Sequence, residues 1–315
     1  MRAVIATRTG GPEVLEVQEV DPPEPIPTEV LVRVHAAGVN PVDYKTRQGG
    51  GMAGVLGDPP YRMGWDVAGV VVQVGMGVTR FKPGDEVFGM PRFPREAGCY
   101  ADYVTSPSRQ LALRPEGLSF GAAAALPLAS LTAWQALVET AGVQAGQRVL
   151  VHAAGGGVGH LAVQIAKASG AEVLGTASAA KLDFLGELGL DRPIDYESEA
   201  FEQVAAGVDV VLDLVGTKEY GLRSLECLVE GGLLIVVPSG ADPEVIEAAE
   251  KQGKRATGIL VEPDGGALER IAELCEQGSL TVALEEPLGL EEAARAHELG
   301  ELGRSQGKRV LWTGA

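Results

Sequence analysis

The residues whose types and spacing could do chemistry are concentrated in RVLVHAAGGGVGHLAVQIAKASGAEVLGTAS, Arg148–Ser178. An apolar run leads into Ala154-x-Gly156-x-x-Gly159, and a helical pattern starts at or just before Gly159. A glycine in the middle of such a turn lets backbone approach a pyrophosphate. The last glycine packs helix closely on strand, and the helix start offers free N–H groups and a favourable dipole. Within one βαβ unit the pattern reads as a dinucleotide-binding turn made by Ala154, Gly156, Gly157, Val158 and Gly159. An acid about 20 residues further on would take a ribose 2′-hydroxyl. Thr176-Ala177-Ser178-Ala179-Ala180-Lys181 contains none. Ser178 can hydrogen-bond a 2′-phosphate, Lys181 can pair with it, and Tyr196 can add a donor, so the expected cofactor is NADPH. The alternative for Lys181 is a solvated lysine at a helix start. Leu214-Val215-Gly216 closes a later apolar strand, at the end where parallel sheets bind ligands.

Metal chemistry finds little support in the residues. His35, His152, His160 and His297 form no ligand spacing, and each is expected to be a core or helix-cap histidine. Cys99, Cys227 and Cys275 are widely spaced and odd in number, which leaves neither a disulfide framework nor a metal ribbon. The formal net charge is −17. A surface this acidic repels phosphate backbones, so nucleic acid is not an expected partner, and an anionic cofactor needs local cations and backbone amides. No apolar run reaches the roughly 18 residues that span a bilayer. The start, MRAVIATRTGG, lacks the long apolar region of a signal peptide. A cytoplasmic, reduced setting is the expectation.

The elements that must position these residues fall into two patterns. Arg2–Thr7, Leu15–Val20, Val30–Ala37, Val67–Gly75, Glu86–Met90 and Tyr100–Val104 read as short strands separated by Gly and Pro turns, which suits a barrel-like β-rich domain. From Leu118 onward the pattern changes. Phe120–Pro127 is Ala-rich, Ser130–Glu139 has helical periodicity, and Pro127 breaks or begins a helix. Strands at Arg148–Ala153, Glu172–Ala177, Val208–Leu214 and Leu233–Pro238 then alternate with helices at Val158–Ser169, Ala180–Leu188, Leu222–Leu228 and Pro243–Gln252. Alternation of this kind predicts βαβ units and a parallel sheet. Gly266–Gln277 and Leu290–Leu299 are amphipathic helices. Lys308–Thr313 is a strand without strand neighbours in sequence, expected to return to the first domain.

The chain resembles the medium-chain dehydrogenase/reductase superfamily, and more closely its zinc-independent quinone oxidoreductase branch. The resemblance is carried by AAGVNPVDYKTRQG (Ala36–Gly49), GWDVAGVVVQVG (Gly64–Gly75), FKPGDEVFG (Phe81–Gly89), AALPLASLTAWQAL (Ala124–Leu137), AAGGGVG (Ala153–Gly159) and GKRVL (Gly307–Leu311), in the family's order. It implies an α/β protein with a GroES-like β-rich domain, residues 1–120 with 281–315 returning to it, and a Rossmann doubly wound parallel-sheet domain over 121–280. It also implies a homodimer joined edge to edge through the Rossmann sheets. Zinc members carry Cys where this chain has Asn40, and Gly-His-Glu where it has Gly64-Trp65-Asp66. Asn and indole do not replace Cys and His in a tetrahedral site, so no metal is expected.

By the same resemblance, Lys45 lies beside the nicotinamide ribose and the substrate oxygen, stabilising charge there. Asp43 and Tyr44 flank it as catalytic candidates, with a cap and a packing aromatic as their alternatives. Asn40, Thr132, Val237, Pro238, Ser239 and Lys308 would line the cofactor. Trp65 would shape the acceptor pocket or serve as a core aromatic. Without zinc there is no strong Lewis acid for an alcohol oxyanion, so the expected acceptor is a quinone or an α,β-unsaturated carbonyl, reduced in the interdomain cleft. A trans-enoyl thioester reductase and a non-catalytic NADPH-binding sensor or structural protein are the alternatives.

Overall fold

The computed structural model describes residues 1–237 and 240–314 and divides the chain into two compact units. The second unit, residues 132–261 with 279–281, is built on a six-stranded sheet. Its spatial order is Arg192–Asp195, Glu172–Ala177, Arg148–Val151, Val208–Asp213, Leu228–Val236, Arg255–Gly258, and every pairing is parallel. Numbered along the chain, that order is 3-2-1-4-5-6, the doubly wound dinucleotide-binding arrangement. The central strands are apolar on both faces, as a sheet covered by helices on both sides requires. Leu150, Leu174, Ile194, Val211 and Leu234 pack with Phe201, Leu225 and Val245 in one buried cluster.

Two strands of this sheet escape the sequence pattern, Arg192–Asp195 and Arg255–Gly258. Both are four-residue edge strands. Pro193 removes a ladder donor and is tolerated at an edge, while Arg255 and Thr257 dilute the apolar signal of the other.

The first unit comprises residues 1–131, 262–278 and 282–315. Its axis is the long strand Glu29–Val39, which pairs antiparallel with Val67–Val74, Tyr103–Pro107 and the terminal strand Arg309–Trp312. Arg309 faces Val39 and Trp312 faces Ala36, so the end of the chain closes onto its beginning. Glu86–Gly89 and Leu111–Leu113 extend the sheet on one side and Leu288–Gly289 on the other. A smaller sheet holds Leu15–Glu19, Arg2–Ala6 and Tyr61–Arg62.

Local differences from the sequence pattern have physical causes. Tyr100 does not begin a strand. It is buried where the backbone crosses the first strand, with Val4 N–H donating to Tyr100 O at 2.8 Å, and the strand begins at Tyr103. Pro127 begins the helix Pro127–Trp134 rather than breaking one. Residues 121–131 and 262–278 cluster with the first unit; in the second of these segments the Gly265 Cα lies against the carbonyls of Arg109 and Leu111, an approach only a glycine allows. The segment 49–61 contains a helical turn, Ala53–Leu56.

Candidate functional site

In the second unit the sequence-predicted residues line the C-terminal ends of consecutive parallel strands. Tyr196, Ser178, Ala154, Leu214 and Val237 follow the third, second, first, fourth and fifth strands, in that spatial order. Backbone bonds tie the row together. Tyr196 N–H donates to Ala177 O at 3.3 Å, Ala154 N–H to Thr176 O at 2.9 Å, and Val237 N–H to Asp213 O at 3.0 Å. Pro238 and Ser239 lie outside the described residues.

Each glycine of the turn has a distinct task. A Cβ on Gly159 would lie 2.4 Å from Ala153 O and 2.6 Å from Ala154 O, so helix and strand could not pack. Gly156, Gly157 and Val158 remain part-exposed. The helix Gly159–Ala168 starts there with no side chain capping it, and its His160 and Leu161 N–H groups turn back onto Gly156 O and Val158 O, each at 3.1 Å. His160, fully buried, donates from Nδ1 to Gly156 O at 2.9 Å, a core histidine that braces the turn.

Lys181 is brought to this turn. A methyl on Gly155 would meet Lys181 Cδ at 2.7 Å and Cβ at 3.2 Å, so the lysine stem lies across the glycine. Ser178 accepts the Lys181 N–H at 2.9 Å through its carbonyl and leaves its hydroxyl at the strand end. Thr132 is buried on the helix Pro127–Trp134. Asp213 escaped the sequence reading. Its Oδ1 accepts the N–H groups of Val215 (2.8 Å) and Gly216 (3.0 Å), and burial raises its pKa. Gly216 takes φ +74°, and this carboxylate shapes the loop there. A carboxylate three residues before a glycine, at a strand end, was the available signal.

In the first unit the motif Asn40–Lys45 forms the start of a short helix, Pro41–Arg47. Pro41 suits the first helical position. Asp43 Oδ2 accepts the Asn40 N–H at 2.6 Å, which is the cap role, and also accepts the Tyr100 hydroxyl at 3.0 Å. Asn40 Nδ2 donates to Asp66 Oδ2 at 2.7 Å, and Asp66 Oδ1 accepts the Leu128 N–H at 2.9 Å. Lys308 donates to Asn40 Oδ1 and, at 3.2 Å, to Val39 O. Asn40, Asp43, Asp66, Tyr100 and Lys308 thus form one buried polar network. Burial pushes Asp43 up to about 7 and Asp66 up to about 6; burial pulls Lys308 down, and the two carboxylates oppose that.

Tyr44 and Lys45 stand outside this network. The Tyr44 ring lies against the helix Ala293–Glu301, where a Cβ on Gly300 would meet it at 2.9 Å, and edge-on to His297; burial pushes its hydroxyl up to about 12. Lys45 is exposed, and no described side chain pairs with it. Trp65 is 3% exposed, donates from Nε1 to Arg95 O at 2.7 Å and meets Phe93 edge-on. Asp66 and Tyr100 were not among the predicted site residues. Asp66 was legible only as a departure from a metal ligand, and nothing near Tyr100 in sequence points to Asp43.

Comparison with known proteins agrees with both halves. Residues 26–116 match the alcohol dehydrogenase GroES-like domain, and residues 188–311 match the zinc-binding dehydrogenase family. The chain is 36% identical over 322 residues to 2-methylene-furan-3-one reductase of Solanum lycopersicum, covering 99% of this chain and 79% of the relative. The quinone oxidoreductase of Coxiella burnetii superposes with a TM-score of 0.92 at 38% identity, covering 99% of each chain. The quinone oxidoreductase of Escherichia coli, solved in complex with NADPH, gives a TM-score of 0.87 at 29% identity, covering 99% of this chain and 100% of that one. A GroES-like unit, a doubly wound unit with its glycine turn and these relatives together place the chain in the medium-chain dehydrogenase/reductase family, among its quinone oxidoreductases and enone reductases.

Proposed function

We propose that this protein is an NADPH-dependent, zinc-free reductase of quinones or α,β-unsaturated carbonyls. NADPH supplies a hydride to the acceptor carbon, and the resulting charge develops on the acceptor oxygen. The turn Ala154–Gly159 binds the pyrophosphate at its part-exposed backbone, Gly156–Val158, and through the helix dipole. Lys181 and Ser178 bind the 2′-phosphate, and Tyr196, 47% exposed on the next strand end, adds a donor. Leu214, Val215, Gly216, Val237, the segment with Pro238 and Ser239, and Thr132 line the nicotinamide side. In the first unit Asn40 and Lys308 orient that end of the cofactor, and Lys45, an exposed cation, stabilises charge on the acceptor oxygen.

The observation that carries the zinc-free reading is the Lys308 ammonium on Asn40. In zinc members a cysteine occupies the position of Asn40 and a histidine that of Trp65. Here the Asn40 oxygen takes a buried ammonium, and the Trp65 N–H is committed to the Arg95 carbonyl. Among the described residues no three His, Cys, Asp or Glu side chains group as a metal site. A fixed ammonium also repels a dication, so these residues do not fit zinc.

Stopped-flow oxidation of NADPH and NADH, in parallel, against benzoquinones and alkyl vinyl ketones tests the reading. Turnover with NADPH that survives prolonged chelation is expected. Absence of turnover with both acceptor classes refutes it, and loss on chelation restored by zinc refutes the metal-free part. Faster turnover of an enoyl-CoA than of a free enone would favour a thioester reductase, and tight NADPH binding without turnover a sensor. A homodimer pairing the edge strand Arg255–Gly258 is the assembly this reading carries, checked by light scattering.

A further inference from the structure

A hydrogen-bond chain of fixed direction runs beneath the glycine turn. Ser224 Oγ lies 2.7 Å from Tyr220 O, and a carbonyl only accepts, so Ser224 gives its proton there. The 3.0 Å contact between Ser224 Oγ and His152 Nε2 therefore has Nε2 donating. His152 is fully buried edge-on to the stacked rings of Phe201 and Tyr220, and burial pulls its pKa down to about 3, so the ring is neutral. Its Nδ1 then carries a lone pair and accepts from Thr176 Oγ1 at 3.1 Å. Having given its proton, Thr176 Oγ1 accepts the Ala153 N–H at 3.2 Å.

The residue at the end of this chain is strained. Ala153 takes φ +49°, a left-handed conformation that a residue with a Cβ keeps only when its surroundings hold it. Thr176 holds it twice, since its carbonyl also accepts the Ala154 N–H at 2.9 Å. The same strand leads two residues later to Ser178 and then to Lys181. Ser224 lies on the helix Lys218–Cys227, which follows Leu214–Gly216. Three segments of the nucleotide rim are thereby locked to one histidine.

We propose that His152, Thr176 and Ser224 are positioning residues that set the glycine turn for NADPH and hold it in register with the Ser178–Lys181 loop. None of the three touches the cofactor; they act through Ala153. The proposal rests on the reading of the turn as the pyrophosphate site.

Thr176→Val keeps the side-chain shape and removes the hydroxyl, leaving Ala153 N–H and His152 Nδ1 without partners. The Kd for NADPH, from titration of nicotinamide fluorescence, is expected to rise about tenfold, the scale of one lost buried hydrogen bond. KM for NADPH should rise more than kcat falls, and Thr176→Ser should restore both to within about twofold. In ¹⁵N spectra, with the ring signals assigned by their loss in His152→Asn, the wild type should show the neutral Nε2–H tautomer at pH 7. An Nδ1–H tautomer or an imidazolium overturns the chain. Gly156→Asp, which sets a carboxylate in the turn itself, separates the two readings. Unchanged NADPH binding in Gly156→Asp removes the turn reading and the proposal with it. Weakened binding there, with wild-type affinity in a folded Thr176→Val, overturns the proposal alone. Should Thr176→Val lose its melting transition, Ser224→Ala decides in its place, with the same expected rise in Kd and the same refutation by wild-type affinity.

Discussion

Lys181→Ala should convert a cofactor-selective enzyme into an indifferent one, and the arrangement around Gly155 says by how much. The lysine stem is half-buried against the glycine, which narrows the range its ammonium can sweep. A unit charge pair at about 4 Å and an effective dielectric of about 20 is worth about 4 kcal/mol. Solvent at the rim and salt reduce that to about 1–2 kcal/mol, in line with charged hydrogen bonds at part-exposed sites. The KM for NADPH should rise about 5- to 30-fold, while the KM for NADH, which lacks the phosphate, stays within about twofold. Gly155 supplies a second handle. Its φ is not among the positive ones, so alanine is allowed there by the backbone, yet the new methyl would meet Lys181 Cδ at 2.7 Å and displace the stem. Gly155→Ala should therefore give a smaller loss with NADPH, about 3-fold, and the double variant should be no worse than Lys181→Ala alone. Steady-state KM values for both cofactors in the four proteins make a double-mutant cycle. Equal losses with NADH and NADPH in Lys181→Ala, or additive losses in the cycle, would refute the assignment of Lys181 to the 2′-phosphate.

The other predictions concern the first unit. Lys45→Ala should lower enone turnover more than it lowers NADPH affinity, and unchanged turnover would remove its role at the acceptor oxygen. Lys308→Met leaves Asn40 Oδ1 and Val39 O without a donor and two buried carboxylates without a cation, a loss on the order of 3–5 kcal/mol. Its melting temperature should fall by more than about 5 °C, and a melt within about 1 °C of wild type would refute the network. Asp43, pushed up to about 7 from 3.8, keeps in the native state a proton that the unfolded chain releases from about pH 4 upward. The stability associated with that proton is full below about pH 4 and is lost as pH rises through about 7, by several kcal/mol. Asp43→Asn cannot lose it, so its melting temperature relative to wild type should climb between pH 5 and pH 8; a difference independent of pH would count against a protonated Asp43.

What the sequence disclosed and what it hid follow one distinction. Periodicity and glycine spacing are local, and they placed the turn, the two central strands beside it and the terminal strand. Ser178 and Lys181 were legible because the fingerprint prescribes a distance along the chain, about 20 residues. Edge strands were not legible, since Arg192–Asp195 and Arg255–Gly258 are short and half-polar, and only pairing makes them strands. Asp43 read as either an acid catalyst or a cap. Its partners, Tyr100 and Asp66, lie 57 and 23 positions away, and no local pattern announces such a meeting. His152 gave the same difficulty. A buried histidine was the expectation, and its three-membered chain depends on Thr176 and Ser224 arriving from two other elements.

Charge balance links the buried network to the acidity of the chain. Asp43 and Asp66 face one ammonium, that of Lys308, and every other atom bonded to them is a neutral donor. One cation can neutralise one carboxylate. Burial raises both carboxyls, to about 7 for Asp43 and about 6 for Asp66, and the charge of Asp66 adds to the rise at Asp43 while Lys308 opposes it at both. Asp43 is the one that keeps its proton, because its Oδ1 has no hydrogen-bond partner among the described residues, whereas both oxygens of Asp66 accept bonds. A dication would drive that proton off and would have to displace the ammonium from Asn40 before it could bind. The net formal charge of −17 gives no hint of this arrangement, since a surface count cannot see three buried groups that cancel. The network is neutral with one proton and one lysine, and that is the condition under which a metal has nothing to replace.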